Sequence, residues 1–419
     1  MTFETQDLGE RVLARLDELA NITDEPGRIT RLYLSPAHRR AADRVAQWMR
    51  DLGLDVLEDA VGTVRGLYPA GSAGPDANRK LLIGSHIDTV IDAGKYDGNL
   101  GVVAGLAVIE ELRARNIKLP FAIEVLAFGD EEGVRFRTSL SSSSACTGTY
   151  RADWLEITDG KGIKLKDALK EFGGNPSGIR DAVISPGSVI GYVELHIEQG
   201  PVLEHQGDAL GVVTSIAGQS RFRITVTGEA GHAGTNPMGL RRDAFAALAE
   251  LATTIERIAR EGTGGLVATI GEVSVHPGAS NVVPGEVEAS LDIRAGSDAP
   301  RLVAIDRIRH EVEQIARRRG VKIRMERTAD VPTCPMNDDF QNGLATAIGS
   351  LGENARRLPS GAGHDAMAMA RSFPAAMLFV RSKSGISHNP AEYTSPGDLG
   401  LAVESLTRFV IALAEKAPT

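Results

Sequence analysis

Leu81-Leu82-Ile83-Gly84-Ser85-His86-Ile87-Asp88-Thr89, continuing through Val90-Ile91-Asp92-Ala93-Gly94-Lys95 to Tyr96-Asp97-Gly98-Asn99-Leu100-Gly101, is the stretch on which the fold turns. It opens as a short apolar strand, and its polar residues arrive where that strand should end. Imidazole and carboxylate at a strand end are the ligand types of a borderline divalent cation. Asp88 lies two residues beyond His86, on the same side of an extended chain, where its carboxylate is expected to orient the ring. A lone His-x-Asp is more often a capped strand end, so the rest of the chain decides.

Outward from this stretch the pattern recurs. Val102 to Arg113 reads as an apolar helix, and Ala122 to Phe128 as a strand ending on Asp130-Glu131-Glu132-Gly133. Strand, helix and strand with polar groups at both carboxyl ends is the geometry of an open α/β sheet whose site lies beyond those ends. Val189 to Leu195 is a third such strand, followed by His196-Ile197-Glu198-Gln199-Gly200-Pro201. Three strand ends bearing His or carboxylate make accidental placement a poor explanation. Adjacent Glu131 and Glu132 can divide the work, one binding metal while the other carries protons. The serines at 139 and 141–144 have no Gly-x-Ser-x-Gly elbow around them and read as loop and helix-start chemistry.

Ahead of the central stretch, Leu8 to Ala20 has helical spacing, Ser35-Pro36 signals a second helix to about Leu52, and Val56 to Tyr68 reads as a hairpin-like pair. From about Gly211 the texture changes. Phe222–Thr227, Leu266–Val275, Val287–Arg294 and Val321–Arg327 read as strands, with helices over Arg242–Ile258 and Ala299–Arg317. That βαββαβ order predicts a ferredoxin-like insert at residues 212–329 interrupting a catalytic domain of residues 1–211 and 330–419. Beyond it come a helix from Phe340, the glycine-rich turn Ser360-Gly361-Ala362-Gly363-His364-Asp365, a strand over Ala375–Val380, the loop Ser387-His388-Asn389, and a last helix. His86, His196, His232, His364 and His388 fall in loops or at strand ends, whereas His38, His205, His276 and His310 read as surface residues.

The chain has 419 residues and a net charge of −9, so it offers no basic field for nucleic acid or an anionic membrane. Two cysteines, Cys146 and Cys334, exclude a disulfide framework and point to the cytoplasm. The N-terminus lacks the basic and apolar regions of a signal peptide, and no apolar run nears the roughly 20 residues a bilayer span requires.

Together the motifs Gly84-Ser85-His86-Ile87-Asp88-Thr89, Tyr96-Asp97-Gly98, Asp130-Glu131-Glu132-Gly133, His196-Ile197-Glu198-Gln199, Gly231-His232-Ala233-Gly234-Thr235, Ser360 to Asp365 and Ser387-His388-Asn389 resemble those of the aminoacylase-like dinuclear metallohydrolases. The resemblance spans nearly the whole chain. It is strongest to the branch holding allantoate amidohydrolases, ureidopropionases and N-carbamoyl-amino-acid hydrolases, the allantoate enzymes above all. It implies an α/β, mixed-sheet, zinc-peptidase-like catalytic domain whose insert serves as lid and homodimer contact. It also implies two divalent cations, zinc, manganese or cobalt, with His86 and His196 on one, Glu132 and His388 on the other, and Asp97 bridging. Glu131 would be the general base, with Asp88 supporting His86, and His232 and Asn281 would stabilise the oxyanion in the partner's site. Gln199, Arg294, Gly361, Gly363 and His364 would hold a small anionic ureido substrate, cleaved with release of ammonia and CO2. The serine-rich Ser141–Cys146 departs from the family's usual run. Carbamoyl-amino-acid hydrolysis, peptide hydrolysis, and a non-catalytic binding protein on the same scaffold are the competing readings.

Overall fold

The computed structural model describes residues 3–72 and 74–416. Met1 and Thr2, where the leader reading begins, and Ala73, within the loop before Lys80, lie outside the described residues. The chain divides into two compact units. One comprises Met1–Thr214, Met336–Leu358 and Gly363–Thr419, the other Ser215–Pro335 with Pro359–Ala362.

The first unit is organised on a mixed sheet in the order Asp55–Glu58, Val64–Tyr68, Ala122–Phe128, Lys80–His86, Val189–Ile197, Ala375–Val380, Leu210–Ile216. The four inner strands, from Ala122–Phe128 to Ala375–Val380, run parallel and are almost wholly buried. This accounts for their largely apolar sequences, broken inside by the buried Glu124 and Glu194, because a parallel sheet is covered on both faces. His86 pairs with Phe128, and His196 with Phe379, so these strands end at one level. Helices Phe3–Ala20 and Pro396–Glu415 cross backbone to backbone: a Cβ on Gly9 would lie 1.6 Å from the Pro396 carbonyl oxygen, and one on Gly400 1.7 Å from that of Thr5. Ser35 and Ser395 cap their helices by accepting the His38 and Asp398 N–H groups, each followed by proline at the first helical position.

In the second unit the strand order is Val273–His276, Glu286–Ala295, Gly218–Thr227, Lys322–Val331, antiparallel throughout. Helices Ala244–Arg260 and Asp298–Arg319 bury Leu248, Leu251, Ile255, Ile305, Ile308 and Ile315 against Phe222, Ile224, Val226, Leu291 and Ile293. Gly218–Thr227 alternates buried and exposed residues, as a sheet with one wet face requires.

Three local expectations need correction. The single strand expected over Leu266–Val275 is two, Val267–Thr269 and Val273–His276, both paired with Glu286–Ala295. Thr269 opposes Asp292 and Val273 opposes Ala289, so this side gains one residue around Gly271, which is a β-bulge. Leu210–Ile216, treated as a domain junction, is a strand antiparallel to Ala375–Val380. His38 is buried, not on the surface: its Nδ1 accepts the Leu34 N–H at 3.1 Å and its ring stacks on Phe172. Among the described residues, no helix is long and apolar enough to cross a membrane.

Candidate metal centre

His86 closes its strand, His196 stands one residue from the end of the next, and Asp97 sits just before helix Asn99–Ala114. The Nε2 atoms of His86 and His196 lie 3.6 and 3.1 Å from Asp97 Oδ1. On the other side of the same carboxylate, His388 Nε2 is 3.4 Å from Asp97 Oδ2 and 3.5 Å from Glu132 Oε2. Two groups of metal-competent atoms therefore share Asp97: His86, Asp97 and His196, and Asp97, Glu132 and His388. Glu131 Oε2 is 4.0 Å from His86 Nε2. Residue 98 must be glycine here, since its φ is +67° and a Cβ would fall 2.3 to 2.4 Å from three atoms of the His86 ring.

Tautomer chemistry tests whether these groups fit a cation. His86 Nδ1 lies 3.0 Å from the Asp88 carbonyl oxygen, and His196 Nδ1 2.9 Å from that of Ile197. A carbonyl only accepts, so each Nδ1 carries hydrogen and, in the neutral ring, each Nε2 turns a lone pair towards Asp97. Lone pairs face each other across that gap unless a positive charge stands between them. Two ligand atoms about 2.0 to 2.2 Å from one cation at a tetrahedral angle are roughly 3.3 to 3.6 Å apart, which brackets most of the separations observed. The residues fit the group.

Electrostatics agree. Burial raises the proton affinity of Glu131 and Asp88, and burial with the neighbouring Asp97 pushes Glu132 up to about 8. Burial would raise Asp97 too, but positive charge beside it, on the side of His196 and His86, overcomes this and holds that carboxylate well below its usual range. The buried Arg31 donates to the carbonyls of Ile87, Leu19 and Ile22 and to Asn99 Oδ1, and its charge is attracted to Asp88.

The support expected from the Asp88 carboxylate takes another form. Its main-chain oxygen meets His86, while Oδ1 stands 3.7 Å from Nδ1 and the carboxylate accepts the Glu131 and Glu132 N–H groups at 3.3 and 3.4 Å. Asp88 thus also holds the two glutamates. The turn between Phe128 and Glu131 is braced by the serine-rich helix Ser141–Cys146: Asp130, at φ 66°, accepts from Thr138 and Ser141, and Gly129 N–H donates to Ser142. Gln199 Nε2 donates to Asp97 Oδ2 at 2.8 Å and to Ser387 Oγ at 3.1 Å, leaving Oε1 as its open acceptor. His364 is buried, with its ring centroid 4.4 Å from that of His196, and Gly363 precedes it on an exposed turn.

In the second unit, His232 and Asn281 are neighbours, because Ala233 N–H donates to the Asn281 carbonyl and His232 pairs with Val282. Gly234 N–H donates to His232 Nδ1, which leaves the exposed Nε2 as a donor. Arg294 grips Asp292 through Nε and Nη2 and gives Nη1 to the Gly361 carbonyl, so two of its five N–H groups stay open.

Residues 82–412 match the family model described as peptidase family M20/M25/M40. The chain belongs to this family. It is 41% identical over 97% of its length to an N-carbamoyl-L-amino acid amidohydrolase of Geobacillus stearothermophilus, covering 99% of that protein. To an allantoate deiminase of Arabidopsis thaliana it is 39% identical over 96% of its length and 82% of the relative's. A solved hydantoinase/carbamoylase family amidase from Burkholderia ambifaria superposes with a TM-score of 0.90 at 34% identity, over 98% of both chains. The M20 chain is thus a metallohydrolase acting on C–N amide bonds, with candidate metal-binding groups at its strand ends.

Sequence reasoning missed several residues of this M20 site. Glu194, inside a strand read as apolar, accepts from Ser85 Oγ at 2.7 Å, Tyr192 Oη at 3.1 Å and Ala366 N at 2.9 Å, and forms a further metal-competent group with His196 and His364, as His86 does with Glu131 and Glu132. A glutamate amid a buried parallel strand was the signal available. Ser387 and Glu392 were passed over beside His388.

Proposed function

We propose that the chain is a divalent-metal-dependent amidohydrolase that cleaves a ureido C–N bond of allantoate, releasing ammonia and CO2. The observation that carries this reading is the pair of groups sharing Asp97, with both inner imidazoles committed through Nδ1 to carbonyls. His86 and His196 would hold one cation, Glu132 and His388 a second, and Asp97 both; zinc, manganese and cobalt all suit such a set. Bound there, the cations would polarise a carbonyl and lower the pKa of a water.

The chain's own residues do the rest. Glu131, beside His86 and raised by burial, takes a proton from the attacking water and delivers it to the departing nitrogen. A ureido carbonyl is a weak electrophile because two nitrogens donate into it, so an oxyanion donor is needed. His232 Nε2–H with Asn281 is assigned that task in the partner's site, in a homodimer formed through residues 212–329. Arg294 pairs with the substrate carboxylate, and Gln199, Gly361, Gly363 and His364 complete the substrate contacts. The cytoplasm is the proposed location.

Hydrolysis of N-carbamoyl-L-amino acids is the second reading, supported by the near-equal identities of 41% and 39% to the two kinds of relative. It needs the same ureido chemistry and carboxylate clamp. A substrate panel with ammonia detection, run with added zinc, manganese or cobalt, separates them. Ammonia from allantoate supports the proposal, and turnover confined to carbamoyl amino acids transfers it to the second reading. Two bound cations with no turnover on either class would leave a binding protein on a hydrolase scaffold.

A further inference from the structure

Glu392 lies in the loop after His388 and is buried. Its Oε1 accepts the main-chain N–H groups of Tyr96 and Asp97 at 2.7 and 3.1 Å. Its Oε2 lies 3.3 Å from Ser387 Oγ, and that hydroxyl donates to Asp97 Oδ2 at 2.7 Å. One side chain thereby joins the segment carrying Asp97 to the segment carrying His388, nearly 300 residues apart in sequence.

Gly94 gives independent support. A Cβ there would lie 2.4 Å from Glu392 Cβ and Cδ and 2.5 Å from its Oε1. Gly94 is not in the left-handed region, so it is the Glu392 side chain and not the backbone that calls for glycine. The chain keeps this residue bare to let the carboxylate reach the two N–H groups.

His388 needs such a tether. Its side chain is 51% exposed and its φ is 53°, so neither packing nor a favoured backbone conformation holds it near Asp97 and Glu132. We infer that Glu392 is a positioning residue which, through the Tyr96 and Asp97 amides and Ser387, sets the placement of Asp97 relative to His388 and so the affinity of the group Asp97, Glu132 and His388 for its cation. The inference rests on the proposed metal site and names the residue that assembles one half of it.

Cation stoichiometry and affinity test it, by titrating apo protein with manganese or zinc and reading bound metal directly. In Glu392→Ala the two amides lose their acceptor and Ser387 loses a neighbour. Binding at the Asp97, Glu132 and His388 group is expected to weaken about 10- to 100-fold, the usual effect of removing a group that orients a ligand, and binding at the group of His86, Asp97 and His196, which shares Asp97 but not His388, to weaken much less. Activity should recover as metal is added. Glu392→Gln retains an acceptor for both amides and should restore most of the affinity, and Gly94→Ala, which displaces the carboxylate, should reproduce the alanine defect. Thermal melts of all three variants separate misfolding from a local loss. Wild-type affinity at both sites in folded Glu392→Ala overturns the inference, as does equal weakening of both. A wild-type chain that binds no cation overturns the metal site itself, and the inference with it.

Discussion

Replacing Gly98 by alanine perturbs the centre through a single carbon atom. The added Cβ would sit 2.3 Å from His86 Cε1 and 2.4 Å from both ring nitrogens, whereas carbon atoms rest about 3.5 to 4.0 Å apart. Ring and loop must separate by roughly 1.2 Å to restore normal contact. The ring cannot retreat freely, because it is fully buried and its Nδ1 is bonded to the Asp88 carbonyl. Metal–ligand distances tolerate only about 0.2 Å, so the cation held by His86, Asp97 and His196 should be lost or bound far more weakly. A misplacement of about 1 Å typically costs on the order of 100-fold in rate. Residue 98, at φ +67° and ψ −55°, is the centre of a γ-turn closed by the Asn99 N–H on the Asp97 carbonyl, a strained conformation that adds on the order of 1–3 kcal/mol for an L-residue, inside a typical stability of about 5–15 kcal/mol. Gly98→Ala should therefore fold, melt a few degrees lower, contain less metal by elemental analysis and turn over at most one-hundredth as fast. Full metal content with wild-type turnover would refute the assignment of His86 to a cation.

Glu131→Gln keeps the shape but removes the proton carrier, so kcat should fall about 10²- to 10⁴-fold with cation content unchanged; loss of metal instead would make Glu131 a ligand. Gly400→Ala drives a methyl into the Thr5 carbonyl, and the overpacking cost of about 1–3 kcal/mol should outweigh the roughly 1 kcal/mol alanine gains in a helix. Its denaturant midpoint should drop while activity per folded molecule holds, and a raised midpoint would mean the two helices separate easily. Asp59, which accepts the Val61 and Thr63 N–H groups, is pushed by burial up to about 6 from 3.8. The folded chain therefore binds its proton more tightly than the unfolded chain, and stability falls as pH rises between about 4 and about 6, by at most about 3 kcal/mol given the residue's partial exposure. Asp59→Asn, which keeps the accepting oxygen, should flatten that part of the urea-denaturation pH profile; an unchanged slope would show that the group titrates normally.

The parallel strands were legible because burial on both faces writes a mostly apolar run, interrupted by Glu124 and Glu194 in two of them, and the polar end of each run marks the level of the site. Lys80–His86, Ala122–Phe128 and Val189–Ile197 announced themselves in this way. Leu210–Ile216 was missed although Val212-Val213-Thr214 is strongly strand-forming, because it was read as the join between domains. His38 was misjudged because it lacks the loop or strand-end setting of the other histidines, whereas it packs at the helix start against Phe172. The candidate ligands could be read from residue type at strand ends. Their supports could not, since Glu392, Ser387 and Glu194 act across long sequence separations and carry no local pattern.

The backbone at the site adds a constraint that side-chain reading alone would not reveal. Asp130, Gln199 and His388 all take left-handed conformations, with φ of 66°, 56° and 53°. Such positions favour glycine, and each side-chain-bearing residue there costs on the order of 1–3 kcal/mol. Asp130 and Gln199 fall two residues beyond the Ala122–Phe128 and Val189–Ile197 strands, and His388 in the loop that follows Ala375–Val380. Elsewhere among the described residues both glycines, as at Gly62, Gly148 and Gly207, and side-chain-bearing residues, as at Leu34, Asn116 and Leu140, take positive φ. At these three positions the side chain is needed: Asp130 anchors the turn before Glu131, Gln199 bonds Asp97, and His388 faces Asp97 and Glu132. Strain of this size persists only where surrounding contacts over-determine the geometry. The hydrogen bonds from Thr138 and Ser141 to Asp130, and from Gln199 and Ser387 to Asp97, supply such contacts for the two carboxylates.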